Sequence, residues 1–89
     1  FYDKSRAHNQ AGIELIQSKN FDEALIQFKK SVRQNPNLLS ARFNLAKLLL
    51  ELKKEPKKVR SHLKAALALK PNPDQKRALR ELLNQTNTQ

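Results

Sequence analysis

The 89-residue sequence contains no cysteine, methionine or tryptophan, and only one glycine. Without cysteine the chain has no disulfide framework, no thiolate nucleophile and no cysteine-based zinc site. A single glycine argues against an all-β fold, which needs many tight turns. No apolar run approaches the roughly 20 residues that span a bilayer, and the first residues show no signal-peptide pattern. Both cytoplasm and periplasm therefore remain open as the compartment.

Acidic residues are also scarce, with 8 Asp and Glu against 18 Lys and Arg, for a formal net charge of +10. Such an excess favours acidic proteins, nucleic acid or anionic membranes as partners. The length allows one domain, because two independent cores would not fit. The sequence starts at Phe1 without an initiator methionine, and we interpret it as a piece of a longer chain or a processed product.

The residues that are present repeat. Two similar phrases, Asn35-Pro36-Asn37 and Lys70-Pro71-Asn72, lie 35 residues apart. Each proline follows three residues at matching distances: a small or branched apolar residue, then a large apolar residue, then a small one. They are Ala24, Phe28 and Ser31 in the first copy and Val59, Leu63 and Ala66 in the second. Farther upstream, Ala11-Gly12 is echoed by Leu45-Ala46. The agreement of two independent offsets indicates an internal repeat.

Each copy has the apolar spacing of two helices, so the sequence predicts an all-α fold. Asp22 is expected to cap the second helix, and Pro56 and Pro73 to open the fourth and fifth. The fifth helix is polar outside one apolar face, as expected of a cap on the last repeat. The predicted parts are an N-terminal extension over 1–4, repeats over 5–38 and 39–72, a capping helix over 73–85 and a disordered tail over 86–89.

This series of residues resembles the tetratricopeptide repeat (TPR) family, whose pattern runs from a small pair through Ala and an aromatic residue to Pro. Gly12, Ala24, Phe28 and Pro36 carry the resemblance most clearly. It implies two helix-turn-helix repeats of a right-handed α-solenoid. The sequence departs from the family where His8 and Arg42 replace the usual large aromatic residue, and where the turn at 53–56 lacks the family's glycine.

The resemblance also implies protein binding in a concave groove lined by the first helix of each repeat. The expected partner is a peptide or helix of another protein, with acidic character suited to the basic chain. Residues at these positions combine basic groups, amides and apolar side chains; they are Arg6, Asn9, Gln10, Ile13, Gln17, Phe43, Asn44 and Lys47, with Leu50 and Glu51 further along the third helix. Ile13 and Phe43 are interpreted as apolar anchors.

A basic patch offers a second interpretation. The densest run of cations surrounds the turn before the fourth helix: Lys53, Lys54, Lys57, Lys58, Arg60 and Lys64. It could attach the chain to nucleic acid or to an anionic membrane. No aromatic residue interleaves with it, so base stacking is not supported. Homodimerisation is a third alternative, because two repeats fall below the three that usually give stability.

No catalytic constellation is visible. His8 and His62 are the only histidines, and neither belongs to a zinc-binding pattern. Asp22 and Glu23 are adjacent on a helix and point in different directions, so they do not form a carboxylate pair. One glycine cannot build a phosphate-binding loop. The sequence therefore predicts a binding module rather than an enzyme, with no cofactor, no metal and no small-molecule substrate.

Overall fold

A computed structural model describes residues 3–86 as five α-helices. Their bounds are α1 Lys4–Gln17, α2 Phe21–Gln34, α3 Leu39–Glu51, α4 Pro56–Leu67 and α5 Pro73–Thr86. Short turns connect them, and the described residues include no strand. The predicted all-α architecture, two helical hairpins followed by one further helix, is confirmed.

The hairpin of α1 and α2 is held by a close approach between Gly12 and Phe28. A Cβ atom at position 12 would lie 2.5 Å from the Phe28 ring, so only glycine leaves room for that ring. Phe28 is 2% exposed. Nearby, the buried Ser31 hydroxyl of α2 donates to the Ser5 carbonyl of α1 at 2.6 Å. The small residues of the repeat pattern therefore set the distance between the two helices.

Helix α3 is the centre of the domain, because it contacts all four other helices. Its buried residues are Ala41, Leu45, Ala46, Leu48 and Leu49, and partly buried apolar residues such as Phe43 and Leu50 widen this apolar surface. All of the buried residues except Ala41 join Phe28, Leu63 and Leu79 in one hydrophobic core. This arrangement explains why α3 is the most apolar helix in the sequence, whereas α2, α4 and α5 each keep a polar face.

Helices α1 and α3 end with a lysine in the left-handed backbone region where glycine is usual. Lys19 has φ 62° and Lys53 has φ 56°. The amides that follow α1 donate back to Ile16 and Leu15, and those after α3 donate to Leu50 and Leu49. Both ends are thus closed by the same hydrogen-bonded motif. The turn after α3 also needs a second left-handed residue, Glu55, with φ 49°.

The helix starts differ in part from the prediction. Pro56 and Pro73 open α4 and α5 as expected. The prediction that Asp22 caps α2 is wrong, because α2 begins at Phe21 with Asn20 in the N-cap position. Asp22 instead lies in the first turn, where its charge suits the helix dipole.

A cap that the sequence analysis missed is Asp3, which accepts from the backbone amides of Ser5 and Arg6. Hydrogen bonds from the Ser5 hydroxyl and from the Arg6 backbone lower the pKa of the Asp3 carboxyl. The first helix therefore begins inside the predicted extension over 1–4, at Lys4. Phe1 and Tyr2 lie outside the described residues.

The structure contradicts the predicted tail at its first residue, Thr86. Thr86 belongs to α5, is 3% exposed, and its hydroxyl donates to the Leu83 carbonyl at 2.6 Å. Thr86 therefore has a buried environment that its polar neighbours did not suggest. The rest of the predicted tail, 87–89, lies outside the described residues.

We expect Gly12→Ala to destabilise the domain. Alanine gains about 1 kcal/mol in helix propensity, but overpacking against the Phe28 ring costs about 1–3 kcal/mol. Urea denaturation of wild type and variant measures the difference in the free energy of unfolding.

The control is the same substitution in a Phe28→Leu background, which places the Ala46 and Leu63 pair of the second repeat into the first. With the ring removed, Gly12→Ala should become stabilising. An equal effect of Gly12→Ala in both backgrounds would contradict the close approach as its cause.

Lys19→Gly should stabilise the domain, because glycine adopts positive φ without the cost of about 1–2 kcal/mol that an L side chain carries there. Thermal unfolding measures this gain. Lys19→Gln removes the same charge but keeps the Cβ atom, and it should leave the midpoint nearly unchanged. If both variants stabilise equally, relief of charge repulsion is the cause instead.

Candidate functional site

An open groove lies between α1 and α3, with α2 beneath it. Its volume is about 190 Å³, and its lining residues are Ile13, Ile16, Phe28, Asn44, Lys47, Leu48 and Glu51. The floor is apolar, built from side chains of all three helices. The rim is polar and comes from α3, which contributes one amide, one cation and one carboxylate. Such a combination suits a segment that buries apolar side chains while its backbone stays near polar groups.

The groove brings together three of the eight predicted groove residues, namely Ile13, Asn44 and Lys47. Glu51, the last residue of α3, completes its rim. Ile13 is partly buried against the core, so it contributes to both the fold and the groove. Lys47 is exposed and makes no ion pair within residues 3–86.

Asn9 lies under α3 rather than in the groove. It is 8% exposed, its amide nitrogen donates to the Ser40 hydroxyl at 3.3 Å, and its carbonyl oxygen accepts from Asn44 at 3.0 Å. These bonds join the first helices of the two repeats. One N–H of the Asn44 amide is used in this way, so its oxygen and its second N–H remain for other hydrogen bonds.

The other predicted residues lie outside this groove. Arg6 is at the start of α1, where it pairs with Asp3 at 3.2 Å. Gln10 and Gln17 are exposed on α1. Phe43 is partly buried and packs against the core, and so does Leu50. Ile13 thus lines this groove and Phe43 does not.

Three lining residues escaped the sequence analysis: Ile16, Phe28 and Leu48. Phe28 is a position of the repeat pattern, and Ile16 and Leu48 fall on the apolar sides of their helices. Phe28 and Leu48 are indeed buried, and only an edge of each reaches the groove. Apolar spacing identifies the buried side of a helix but not which core residues border a cleft, so the sequence held no signal for them.

The predicted basic patch is divided by its ion pairs. Lys54 lies 3.9 Å from Asp22, and Lys58 lies 3.7 Å from Glu55. The remaining four, Lys53, Lys57, Arg60 and Lys64, are exposed and without an ion pair in the described part of the chain. Three of them follow helical spacing on one face of α4. Lys58 belongs to another face, toward α2.

Each repeat has a polar contact between its two helices at the position where His8 or Arg42 replaces the aromatic residue. His8 Nδ1 lies 2.8 Å from Gln27 Oε1, which joins α1 to α2. In the second repeat, Arg42 Nη1 lies 3.0 Å from His62 Nδ1, which joins α3 to α4. Arg42 Nε also donates to the Pro36 carbonyl at 2.8 Å. Both histidines therefore connect paired helices.

Because Arg42 can only donate, His62 Nδ1 accepts and the neutral ring carries its hydrogen on Nε2. Burial lowers the pKa of His62, and the positive charge of Arg42 lowers it further. The folded state therefore favours the neutral imidazole.

Among residues 3–86, no group of three or more His, Asp or Glu side chains is arranged to hold a metal ion. The same part of the chain has no helix with the length and apolar character needed to cross a bilayer.

Two antiparallel helical hairpins, a fifth helix and a groove along the first helices define an α-helical repeat module. The Tetratricopeptide repeat family model matches residues 15–83, from the end of α1 into α5. The chain belongs to the tetratricopeptide repeat family, whose repeats generally mediate protein–protein interaction and are typically not catalytic. Comparisons with curated proteins and with solved structures give no significant match.

We expect the stability of the domain to fall as the pH is lowered from about 7 to about 5, in part because of His62. Its pKa is lower in the folded state, so the unfolded chain takes up the proton first and gains stability as pH falls. The contribution of His62 to the free energy of unfolding is complete above its pKa in the unfolded chain. It is lost as the pH falls toward its lower pKa in the folded domain. Urea denaturation at several pH values measures the slope.

His62→Gln keeps a side-chain acceptor for Arg42 but does not titrate in this range. A glutamine, Gln27, already occupies the equivalent position of the first repeat, where it contacts His8. His62→Gln should flatten the slope. His8→Gln removes the other histidine and should retain the part due to His62. An unchanged slope in His62→Gln would show that this contact does not respond to pH.

Proposed function

We propose that this chain is a protein-binding module which holds a peptide or helix of a partner in the groove between α1 and α3. The observation that carries the proposal is the apolar floor beneath a polar rim. The floor leaves apolar surface of α1, α2 and α3 open, and an apolar side chain of a partner would bury it.

The rim indicates how a segment would be oriented. Lys47 Nζ is free to pair with a carboxylate, and the Asn44 oxygen can accept from a backbone amide. Glu51 lies one turn beyond Lys47 on the same face of α3. A partner with an apolar side chain for the floor and an acidic residue near Lys47 would satisfy all three features.

Affinity is expected to come from a few buried side chains rather than from the rim charges, which stay solvated. The charges would then select the partner and speed its approach, as the net charge of +10 does for any acidic molecule. On this proposal the chain performs no catalysis and acts by bringing its partner to the protein or assembly that contains it.

A second candidate function is electrostatic attachment through Lys53, Lys57, Arg60 and Lys64. It is supported by their exposure and by their lack of ion pairs within residues 3–86. Binding of this kind should weaken steeply as salt is raised, since each neutralised phosphate releases a counterion.

The groove can be tested by site-specific photocrosslinking. A benzoylphenylalanine placed at position 47 should capture a partner protein from a lysate of the source cells, and mass spectrometry then identifies it. The matched controls carry the same group at position 64 of α4 or position 76 of α5. Equal capture from all three positions, or capture from position 64 alone, would contradict the groove as the binding surface.

Once a partner is known, Lys47→Glu should weaken binding by roughly tenfold, because it places like charges together in the groove. Lys64→Glu makes the same change in net charge outside the groove and should have a small effect. Fluorescence anisotropy at moderate salt measures both. A larger loss for Lys64→Glu would favour the electrostatic candidate instead.

A further inference from the structure

A second cleft lies between α2 and α4 and shares no lining residue with the groove. The backbones of α2 and α4 do not approach closely within the described part of the chain, and Leu45 of α3 lines the space between the two helices. Val32 and Leu45 contribute apolar surface, and polar side chains line the remainder: Lys29, Arg33, Glu55, Lys58, Ser61 and His62. The cleft is open to solvent and has a volume of about 480 Å³.

The lining carries an excess of positive charge. Lys29, Arg33 and Lys58 supply three cations against the single carboxylate of Glu55, for a net formal charge of +2. Arg33 makes no ion pair within residues 3–86. The pKa of His62 is lowered chiefly by burial and by Arg42; Glu55 raises it, and Lys58 and Lys29 lower it by smaller amounts. The cleft therefore has an unsatisfied preference for an anion.

Neutral donors reinforce this preference. The Ser61 side chain is exposed at the cleft and makes no hydrogen bond within residues 3–86. His62 accepts from Arg42 through Nδ1, so its Nε2–H is available as a donor. Hydroxyl, imidazole and ammonium groups on two helices are thus placed around one opening.

The Glu55 carboxylate lies between Lys29 and Lys58 but makes only long contacts with both. Its Oε1 lies 3.8 Å from Lys29 Nζ and 3.7 Å from Lys58 Nζ. These separations exceed the roughly 2.7–2.9 Å of a charge-assisted hydrogen bond. Its Oε2 is buried without a hydrogen-bond partner. Its backbone is left-handed at φ 49° directly before Pro56, a conformation that the proline disfavours. An external carboxylate could approach both lysines more closely and release Glu55 to water.

We infer that the cleft between α2 and α4 is a docking site for an acidic segment of a protein, and that Glu55 is the internal carboxylate which this segment displaces. Charge complementarity identifies the occupant. The lining includes no Phe, Tyr or Trp side chain, and its one aromatic ring, the His62 imidazole, is held by Arg42, which disfavours stacking of the bases of single-stranded nucleic acid. The site is separate from the groove, so the module would contact acidic partners through two surfaces.

The test uses a fluorescein-labelled oligoglutamate peptide at low ionic strength, with oligoglutamine as the neutral control. Lys29→Gln combined with Lys58→Gln should weaken binding by roughly tenfold, because the double variant removes two exposed charge pairs with the peptide. Lys76→Gln combined with Arg80→Gln removes the same charge from α5. It should weaken binding by less than about twofold. Equal losses in the two double variants would overturn the site in favour of net charge alone.

Glu55→Gln gives a result of opposite sign. Removal of the internal competitor should tighten peptide binding by roughly two- to fivefold. Glu81→Gln on α5 changes the net charge equally and should have little effect. Weaker binding by Glu55→Gln would overturn the displacement, because it would show that Glu55 supports the bound state.

Amide chemical shifts of the labelled protein locate the peptide. Changes concentrated at 29–33 and 55–62 are expected. Changes concentrated at 13–16 and 44–51 would place the peptide in the groove and overturn the second site without affecting the groove proposal. An oligothymidylate that binds this cleft more tightly than the peptide would overturn the assignment to protein.

Discussion

The constraint on which the domain depends is that α3 must contact four helices at once. A helix in that position can expose only a narrow strip, so its sequence is apolar around most of its circumference. Asn44, Lys47 and Glu51 lie on that strip, and they form the rim of the groove. The central helix therefore supplies both the core and the polar side of the candidate binding surface, and a change in its register would alter both.

Within this frame the two repeats hold different residues at equivalent positions. Gly12 faces the large ring of Phe28, whereas the equivalent positions of the second repeat hold Ala46 and Leu63, a larger residue with a smaller one. The polar contact of the first repeat is likewise made by another pair in the second, Arg42 with His62. Paired helices are thus packed through different pairs of side chains at equivalent positions of the two repeats.

Helix number, the positions of the prolines and the family followed from the sequence, because a 35-residue offset and apolar spacing determine which side of each helix is buried. The detail of the surfaces did not. Asn9 looked like a groove amide, but its role depends on Ser40 and Asn44 of another helix. The basic run looked like one patch, but Lys58 points to α2 while others share a face of α4. Thr86 looked like a tail residue because its burial depends on long-range packing. Such contacts carry no local signal.

The approach of Phe28 to Gly12 also has a kinetic consequence. It joins helices that follow one another in the chain, so only a short loop must close before the contact forms. All the extensive contacts in this fold are of that kind, between helices that are neighbours or next neighbours in sequence. Low contact order of this sort is associated with folding in microseconds to milliseconds. The hairpin of α1 and α2 can therefore assemble while later helices are still being synthesised, and α3 would then add to a surface that already exists.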